Sequence, residues 1–416
     1  MVARNPTALY FNPAGIAYEE GTDVFVGGNL ALRHVTWDHA RAPSDPVDPP
    51  GGEGANTGHA SALNVFGGPA LGATTKLGRL GLGLGLFVPF GGMESWDKNH
   101  RFDNSPYPLA AAGVQRWHII DGTIAAIYLT AGAAYRLGPL SLGVAFNLIR
   151  SFIMTSQARN PTGSGLPDTQ REGRAVIDVA EFDASFAVGA MLEAIPDRLW
   201  FAASYQAQPG LGAQSLKGTL ALTSASGGAT NFNVTLTQAL PDIYRVGARA
   251  RPLSDLELRV FADYTRWSVM RTQCVALQGY ACAVLADGSD ASGGVLANYR
   301  RDWNDTYGVH VSASYWLRPE LELFGGLGFE TAAIPDTTME NNFMDADNLG
   351  LALGARFSIA GWANLGVSYT HVHYFDRDNS GRSTLAAAQT PTQQQDGGGR
   401  YTQWIGILDV NVEKRF

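Results

Sequence analysis

Apolar and polar residues alternate one by one along most of the chain after residue 23. Between Trp404 and Val412 every second residue is apolar or glycine, and the intervening positions include Asp409 and Asn411. The run 256–264 has the same period, and most of its intervening residues are charged. Because successive side chains point to opposite faces of a β-strand, this period predicts strands with one apolar face and one polar face.

The connections between these strand-like runs alternate in length. Short turns are predicted at 76–79, 136–139, 194–198, 251–255, 318–320 and 358–361. Long polar loops are predicted at 40–58, 91–108, 159–174, 224–231, 272–302, 332–347 and 376–400. This alternation is typical of up-and-down outer-membrane barrels, in which short turns face the periplasm and long loops face the outside. The sequence therefore predicts an all-β fold, an antiparallel transmembrane β-barrel of about fourteen strands formed by residues 23–416.

The composition supports strands rather than helices as the membrane-crossing elements. Apolar residues make up 45% of the chain and charged residues 16%, yet no stretch approaches the ~20 consecutive apolar residues of a spanning helix. The net charge of −8 and the lack of a basic stripe argue against nucleic acid as a partner. The expected location is the bacterial outer membrane, although no signal-peptide pattern is present at the start of the sequence.

One segment near the start departs from the alternation. It covers 7–17 and centres on Phe11, Asn12, Pro13, Ala14 and Gly15. Pro13 fixes its own φ and favours an extended Asn12, and Gly15 permits a tight turn, so the segment is predicted to be too short and broken for a helix. We expect residues 1–22 to form a compact plug inside the lumen of the barrel. The alternative is a surface turn before the first strand.

Four stretches resemble, in order and spacing, the FadL family of outer-membrane transporters for long-chain fatty acids and aromatic hydrocarbons. They are 7–17, Val88-Pro89-Phe90-Gly91, 240–247 with 262–268, and 303–307. The resemblance implies a monomeric fourteen-stranded barrel closed by an N-terminal hatch, with Asn12, Pro13 and Ala14 in the hatch motif. It also implies substrate capture in an apolar extracellular groove and sideways exit at a kink in the third strand. The family's hatch usually begins further upstream, so the hatch here is expected to be truncated at its start.

The kink is expected at Pro89, Phe90, Gly91 and Gly92. Pro89 cannot donate a hydrogen bond to a neighbouring strand, and the two glycines weaken strand pairing. Backbone groups left unpaired there cannot be satisfied by lipid, so a gap must be lined by protein or be wet. Either the strand is kinked here and leaves a lateral gap, or it ends at Pro89.

Candidate substrate-binding residues lie where the long loops meet the strands, above all around loop 91–108. The predicted apolar wall consists of Phe87, Phe90, Met93, Trp96, Phe102, Tyr107, Leu109, Trp117 and Ile119. A carboxylate head group would need a cation, and Lys98 and Arg101 lie nearby. The alternative is a solvated loop whose aromatic residues are incidental.

The remaining signals predict no enzyme activity, no cofactor and no metal site. Cys274 and Cys282 are close together in a polar loop and are expected to form a disulfide in an oxidising compartment, or else to remain thiols. His371 and His373 share one strand face, but a metal would need further ligands. No Gly-x-Ser-x-Gly motif or comparable catalytic pattern occurs.

These patterns favour a barrel that imports hydrophobic small molecules, such as long-chain fatty acids or similar amphiphiles, by passive diffusion. Its partners would be those molecules and the lipid and lipopolysaccharide of the outer membrane. One alternative is a structural or adhesive barrel that displays its loops, and another is a general water-filled porin. A plug in the lumen would oppose the porin, and a sealed wall at 89–92 would favour display.

Overall fold

The computed structural model describes residues 5–18, 20–224, 227–359 and 361–416, and strands dominate these ranges. The strands are β1 (Thr22–His39), β2 (Gly58–Leu77), β3 (Leu80–Ser95), β4 (Asp121–Leu137), β5 (Leu140–Arg159), β6 (Gly173–Ile195), β7 (Leu199–Gln206), β8 (Gln214–Thr223), β9 (Ala229–Gln238), β10 (Ile243–Leu253), β11 (Leu256–Thr265), β12 (Thr272–Leu277), β13 (Val295–Arg300), β14 (Thr306–Arg318), β15 (Leu321–Glu330), β16 (Asn348–Ile359), β17 (Ala363–Asp378) and β18 (Arg400–Arg415). A short helix, α1 (Ala8–Phe11), precedes them, and 3₁₀ turns lie at Pro13–Ala17, His100–Phe102, Pro108–Ala112, Val114–Trp117, Pro209–Leu211, Trp267–Val269 and Leu385–Ala387. Within these described ranges no helix has the length and apolarity to cross a membrane.

Fourteen of the strands form a closed antiparallel ring. In order around the wall they are β1 to β7, β10, β11 and β14 to β18, each hydrogen-bonded to the next. β18 pairs with β1 from Arg415 opposite Asp23 to Arg400 opposite Asp38, which closes the wall. The predicted fourteen-stranded antiparallel barrel is therefore confirmed.

The other four strands form a small sheet at the extracellular end. β6 is 23 residues long, and its lower half pairs with β7 while its upper half pairs with β8. β8 then pairs with β9, β9 with β12, and β12 with β13. We call these four strands the extracellular sheet.

The extracellular sheet corrects the strand assignment in two places. The runs 199–223 and 232–250, each predicted as one strand, divide into two, and the predicted loop 272–302 contains β12 and β13. The physical reason is that a strand needs only about 9–11 residues to cross the membrane. The surplus length pairs outside the membrane and buries its apolar residues, including Leu216, Leu236 and Val275, against β5 and β6.

The period of two separates a lipid-facing surface from a polar lumen. On β11, Leu258 and Val260 point outward and are each 45% exposed, whereas Glu257 is fully buried inside. Glu257 forms an ion pair with Arg249 of β10 at 2.5 Å and a second one with Arg259. The basic and acidic rows of β10 and β11 therefore meet in the lumen, because each charge turned towards lipid would cost ~2–4 kcal/mol at midplane.

The two cysteines lie in the extracellular sheet. Cys274, in β12, is disulfide-bonded to Cys282 with a Cα–Cα distance of 6.1 Å. Since β12 is held between β9 and β13, the bond ties the segment that follows β12 back to the centre of this sheet.

Candidate functional site

A row of small residues crosses five neighbouring strands of the wall, from β3 to β7. Its members are direct cross-strand partners: Gly81, Ala134, Gly143, Gly189 and Ser204. The hatch segment, residues 5–18, lies against this row on its lumenal side. A Cβ at Gly143 would lie 2.4 Å from the backbone of Pro13 and Ala14, and one at Gly189 would lie 2.0 Å from Oδ1 of Asn12. Only small side chains leave room for so close an approach of two backbones.

Asn12 anchors the hatch segment to the wall. Its Nδ2 donates to the carbonyl oxygens of Ala190 on β6 (3.1 Å) and Ala203 on β7 (3.4 Å). Its Oδ1 accepts from the N–H of Ala14 at 3.1 Å, which caps the 3₁₀ turn that Pro13 begins. Because Asn12 is fully buried, each of these groups would cost about 1–3 kcal/mol if left unpaired.

The hatch segment contains more regular structure than its sequence predicts. No helix is expected there, but Ala8–Phe11 form one α-helical turn. The turn exists because Ala8 and Leu9 are completely buried against Phe87 and Tyr128 of the wall. Packing, rather than intrinsic propensity, stabilises so short a helix.

Further contacts hold the middle and the C-terminal end of the hatch segment. The Arg245 guanidinium of β10 lies 5.2 Å from the ring centroid of Tyr10 and 5.6 Å from that of Phe11, within the range of cation–π attraction. At its C-terminal end the Tyr18 hydroxyl lies within hydrogen-bond distance of two carbonyl oxygens, those of Pro139 (3.0 Å) and Met191 (3.2 Å), which share its one proton. The segment is thus held at the periplasmic turns and across the lumen.

The hydrogen-bond ladder between β2 and β3 stops partway up the wall. Its last pair is Leu71 with Leu86. Above this pair, residues 58–70 of β2 and 87–95 of β3 share no ladder, although β2 stays paired with β1 and β3 with β4. We call the facing stretches 65–70 and 87–94 the β2–β3 interruption.

A β-bulge in β3 lies at the lower end of the β2–β3 interruption. Between Phe87 and Phe90, β3 contains one residue more than β4 opposite it. Val88 and Pro89 occupy this bulge, and Pro89 has no N–H to offer to either neighbour. β3 continues past the bulge to Ser95, so the alternative in which the strand ends at Pro89 is wrong.

A cavity of about 460 Å³ lies immediately inside the β2–β3 interruption. Aromatic rings cross it from β3 to the loop after β15. Phe90 contacts Trp267 at a centroid distance of 6.1 Å, Trp267 contacts Trp303 at 5.0 Å, and Trp303 contacts Phe343 at 5.4 Å. A mostly apolar cavity of this size matches the sites that bind small molecules.

The ionisable groups around the cavity are mainly carboxylates. Glu94, Glu330 and Asp345 line it, and Arg33 is the guanidinium in its wall. Arg33 is already engaged: its Nη1 lies 3.4 Å from Glu94, and its Nε and Nη2 donate to Gln403 at 2.9 and 2.8 Å. Burial raises the pKa of Asp345, although backbone hydrogen bonds oppose the effect. The cavity therefore offers an anionic head group little positive charge.

The structure places only some of the predicted substrate-binding residues around the cavity. Phe90, Met93 and Ile119 line it, together with Pro89, Gly91 and Gly92. The remaining candidates, Phe87, Trp96, Phe102, Tyr107, Leu109, Trp117, Lys98 and Arg101, do not contribute to its lining. Phe87 packs against the hatch segment, while Phe102 and Tyr107 form a separate cluster with Ala55 and Ala110. Lys98 and Arg101 are exposed on the surface.

Several lining residues escape selection from the sequence. Trp267, Met270, Trp303, Phe343 and Met344 come from three loops that are far apart in the chain. Strand periodicity predicts which side chains point inward, but it does not predict which loops fold back over the lumen. Trp267 and Trp303 do lie in stretches of family resemblance, which is the signal that pointed towards them.

The loops above the cavity are joined by a buried ionic cluster, which we call the cap. Glu340 Oε2 lies 2.9 Å from His118 Nδ1 and accepts from Gln394 at 3.1 Å, and Oε1 contacts Arg301. The four residues come from four different loops and are all buried. Burial alone would raise the pKa of Glu340, but the charges and hydrogen bonds of Arg301 and His118 lower it to about 2. Glu340 therefore stays ionised and the cap stays paired at ordinary pH.

The closed wall, its apolar outer surface and the segment packed against its inner face define a plugged transmembrane β-barrel. A family model described as outer membrane protein transport protein (OMPP1/FadL/TodX) matches residues 1–416. The chain belongs to this family and is an outer-membrane transporter of hydrophobic compounds. The family resemblance seen in the sequence is thereby confirmed.

Individual relatives are distant in sequence and close in fold. A protein of Neisseria meningitidis serogroup B that is described as an outer membrane protein is 20% identical to this chain over 435 residues. The match covers 100% of this chain and 90% of that protein. A Pseudomonas aeruginosa FadL homologue has a TM-score of 0.79 at 17% identity, covering 99% and 94% of the two chains. The Ralstonia pickettii toluene transporter TbuX has a TM-score of 0.67 at 15% identity, with the same coverage of the two chains. The Pseudomonas putida toluene transporter TodX has a TM-score of 0.69 at 13% identity, again with the same coverage of the two chains.

Proposed function

We propose that this transporter takes up hydrophobic small molecules into the cavity and releases them sideways through the β2–β3 interruption. The observation that carries the proposal is the position of the cavity, which shares Phe66 of β2 and residues 89–94 of β3 with the interruption. The direct route down the lumen passes the hatch segment, which is anchored on several strands. The lateral route avoids the hatch segment and delivers an apolar cargo straight into lipid.

The edges of the β2–β3 interruption support a wall that can part at low cost. Asparagine side chains, rather than a backbone ladder, accept from two backbone N–H groups there. Asn29 accepts from the N–H of Gly68 at 3.0 Å, and Asn64 accepts from that of Ser95 at 2.8 Å. The Asn29–Gly68 bond lies within the β1–β2 pair and survives separation of β2 from β3. The Asn64–Ser95 bond, and the bond from the N–H of Asp97 to the carbonyl oxygen of Ser61, join the two segments above the β2–β3 interruption. The wall can therefore part at the interruption itself while its upper end stays tied.

The charges around the cavity favour an uncharged cargo over a fatty-acid anion. Arg33 lies 3.4 Å from Glu94 and donates to Gln403, and the other ionisable lining groups include Glu330 and Asp345. Two of the similar solved structures are toluene transporters by name, which fits an uncharged cargo. Long-chain fatty acids are the second candidate, favoured by the FadL homologue among the similar structures.

Filling the cavity tests the proposal. Gly92 lines the cavity, and a Cβ built on it has nothing within 4 Å, so Gly92→Phe places a ring in open space there. Gly350→Phe is the matched control, because its Cβ would meet its nearest atom at 4.0 Å and Gly350 does not line the cavity. We expect cells with the wild type or Gly350→Phe to accumulate radiolabelled toluene faster than cells without the protein, and cells with Gly92→Phe to lose this gain.

The same assay with labelled oleate separates the two cargo classes. An uncharged preference predicts a smaller gain for oleate than for toluene. A larger gain for oleate that Arg33→Ala abolishes would favour the fatty-acid candidate. Equal accumulation of both compounds with and without the wild type would contradict the transport proposal itself. We further propose that the barrel acts as a monomer among outer-membrane lipid and lipopolysaccharide, since its fourteen strands close the ring without strands from a second copy.

A further inference from the structure

The lipid-facing side of β5 carries one cation among apolar residues. The outward positions from Leu142 to Leu148 are apolar and 43–56% exposed, and the next outward residue is Arg150. Its cross-strand partner on β6 is Phe182, whose ring centroid lies 4.7 Å from the guanidinium carbon. Within the described ranges, no hydrogen bond or ion pair to another residue engages Arg150. A cation on this face needs a counter-charge, and none of the residues that the structure describes pairs with it.

Arg150 lies at the level of lipid head groups. Tyr205, Tyr244, Tyr264 and Tyr307 form an outward row across β7, β10, β11 and β14, with neighbouring ring centroids 4.8–5.9 Å apart. Such aromatic belts mark the membrane interface. The four tyrosines are six to eleven residues from the periplasmic ends of their strands, and Arg150 is ten residues from that of β5. Arg150 is therefore at the extracellular interface.

An open apolar groove of about 510 Å³ lies below Arg150 on the outer face of the barrel. It is lined by Ala131 and Ala133 of β4, Val144 and Phe146 of β5, and Phe186 and Val188 of β6, among others. The alanines form a low floor, and the two phenylalanines rise beside it. The track from Arg150 down to Val144 spans six residues, or about 20 Å, a length suited to one acyl chain.

We propose that Arg150 and this groove form a specific site for a phosphate-bearing, acylated lipid of the outer leaflet, namely the lipid A part of lipopolysaccharide. The guanidinium presents a planar set of donors that matches a phosphate group, and Phe182 holds its plane. The groove receives one acyl chain. Charge complementarity and the lipid-facing position of the groove both fit this occupant.

The charged residues near Arg150 leave its guanidinium available to bind a lipid phosphate. Lys217 of β8 also faces outward, but it is paired with Glu181 at 3.6 Å. Asp178 lies four residues further up β6 than Phe182, about 13 Å away, so it does not compete for the guanidinium. The phosphate of a lipid that lies in the groove therefore meets Arg150 first.

Native mass spectrometry of the purified barrel in detergent tests the site. The probes are diphosphorylated lipid A, lipid A with its phosphates removed, and inorganic phosphate. We expect the wild type to retain one diphosphorylated lipid A and neither of the other probes. Arg150→Gln should weaken retention about tenfold, which corresponds to the loss of one charge-assisted hydrogen bond. Ala133→Leu, which fills the groove, should weaken it as well, and Arg150→Lys should keep part of it.

Lys414→Gln is the matched control, since Lys414 is a cation at the opposite end of the barrel, over the Trp362 ring at 4.7 Å. It should retain lipid A like the wild type. Heat-modifiable mobility on gels verifies that each variant is folded. Equal retention by the wild type and Arg150→Gln, or equal binding of lipid A without phosphates, would overturn the proposal. The readout is independent of transport, so its failure would leave the proposed function untouched.

Discussion

At the scale of single residues, two glycines of the wall decide where the hatch segment lies. Gly143 and Gly189 are opposite each other on β5 and β6. Atoms of the hatch motif lie where a Cβ would be at each position: backbone atoms at Gly143 and the Asn12 side chain at Gly189. The alternation that makes these strands permits larger residues at both positions. The glycines are therefore explained by the close approach of Asn12, Pro13 and Ala14 rather than by strand formation.

Replacing one of these glycines should displace the hatch segment. In Gly143→Val the new Cβ would meet backbone atoms, which cannot rotate away, so we expect a loss of about 1–3 kcal/mol or more in the free energy of unfolding. The measurement is the thermal unfolding midpoint of the purified barrel. Gly350→Val, at an inward glycine with open space, serves as control and should unfold like the wild type. Equal midpoints for all three proteins would show that the wall and the hatch segment are not in close contact.

The sequence predicts the orientation of single side chains well where the rule is local. Period two puts Glu257 and Arg249 in the lumen and Leu258 towards lipid, because a strand turns each residue by half a revolution. Contacts between distant segments follow no such rule. Lys98 and Arg101 are close in sequence to the cavity wall, yet they are exposed, while Trp303 reaches the cavity from a loop two hundred residues further along.

At the scale of elements, the loops that form the cap act as one unit because their ion pairs are shared. His118, Arg301 and Glu340 each belong to a different loop and have their charges buried together. Removing the charge of one member leaves the others buried without a partner, which is costly. The stability of the cap is therefore tied to the ionisation of Glu340.

Acid should weaken the cap over a defined range. Since the folded-state pKa of Glu340 is lowered to about 2 from an ordinary 4.5, its contribution to stability is complete above about pH 4.5 and is lost as the pH falls through about 2. We expect the thermal midpoint of the wild type to fall over this range more steeply than that of Glu340→Gln, which lacks the titrating group. Parallel pH profiles for the two proteins would contradict a role for this carboxylate.

The elements themselves were predictable to different degrees. Pro89 and the two glycines after it indicate a weak point in β3, but they do not reveal whether the strand ends there or continues. The outcome depends on β4, which pairs with β3 on both sides of the bulge and carries the strand past Pro89. Likewise, β8 and β9 alternate like membrane strands, and only their pairing with the upper half of β6 distinguishes them.

At the scale of the whole molecule, backbone ladders link all fourteen strands of the ring, and the ladder between β2 and β3 stops partway up the wall. The number of strands in the ring was predictable because long and short connections alternate around any up-and-down barrel. The sequence does not predict that the cavity, the bulge and the β2–β3 interruption lie on one side of the barrel, because this arrangement arises only when the ring closes. We propose lateral release because these three features lie together.

A reversible lock across the β2–β3 interruption tests that claim most directly. A Cβ at residue 68 would lie 3.5 Å from Cβ of Val88, so Gly68→Cys/Val88→Cys has the geometry for a disulfide. Leu71→Cys/Leu86→Cys, a register pair within the intact ladder, is the control lock. The measurement is the uptake of labelled toluene by cells with each oxidised barrel, before and after reductant, with the wild type treated in the same way.

We expect the oxidised 68–88 lock to stop uptake, reductant to restore it, and the control lock and the wild type to transport equally throughout. Undiminished uptake through the oxidised 68–88 lock would contradict release through the wall.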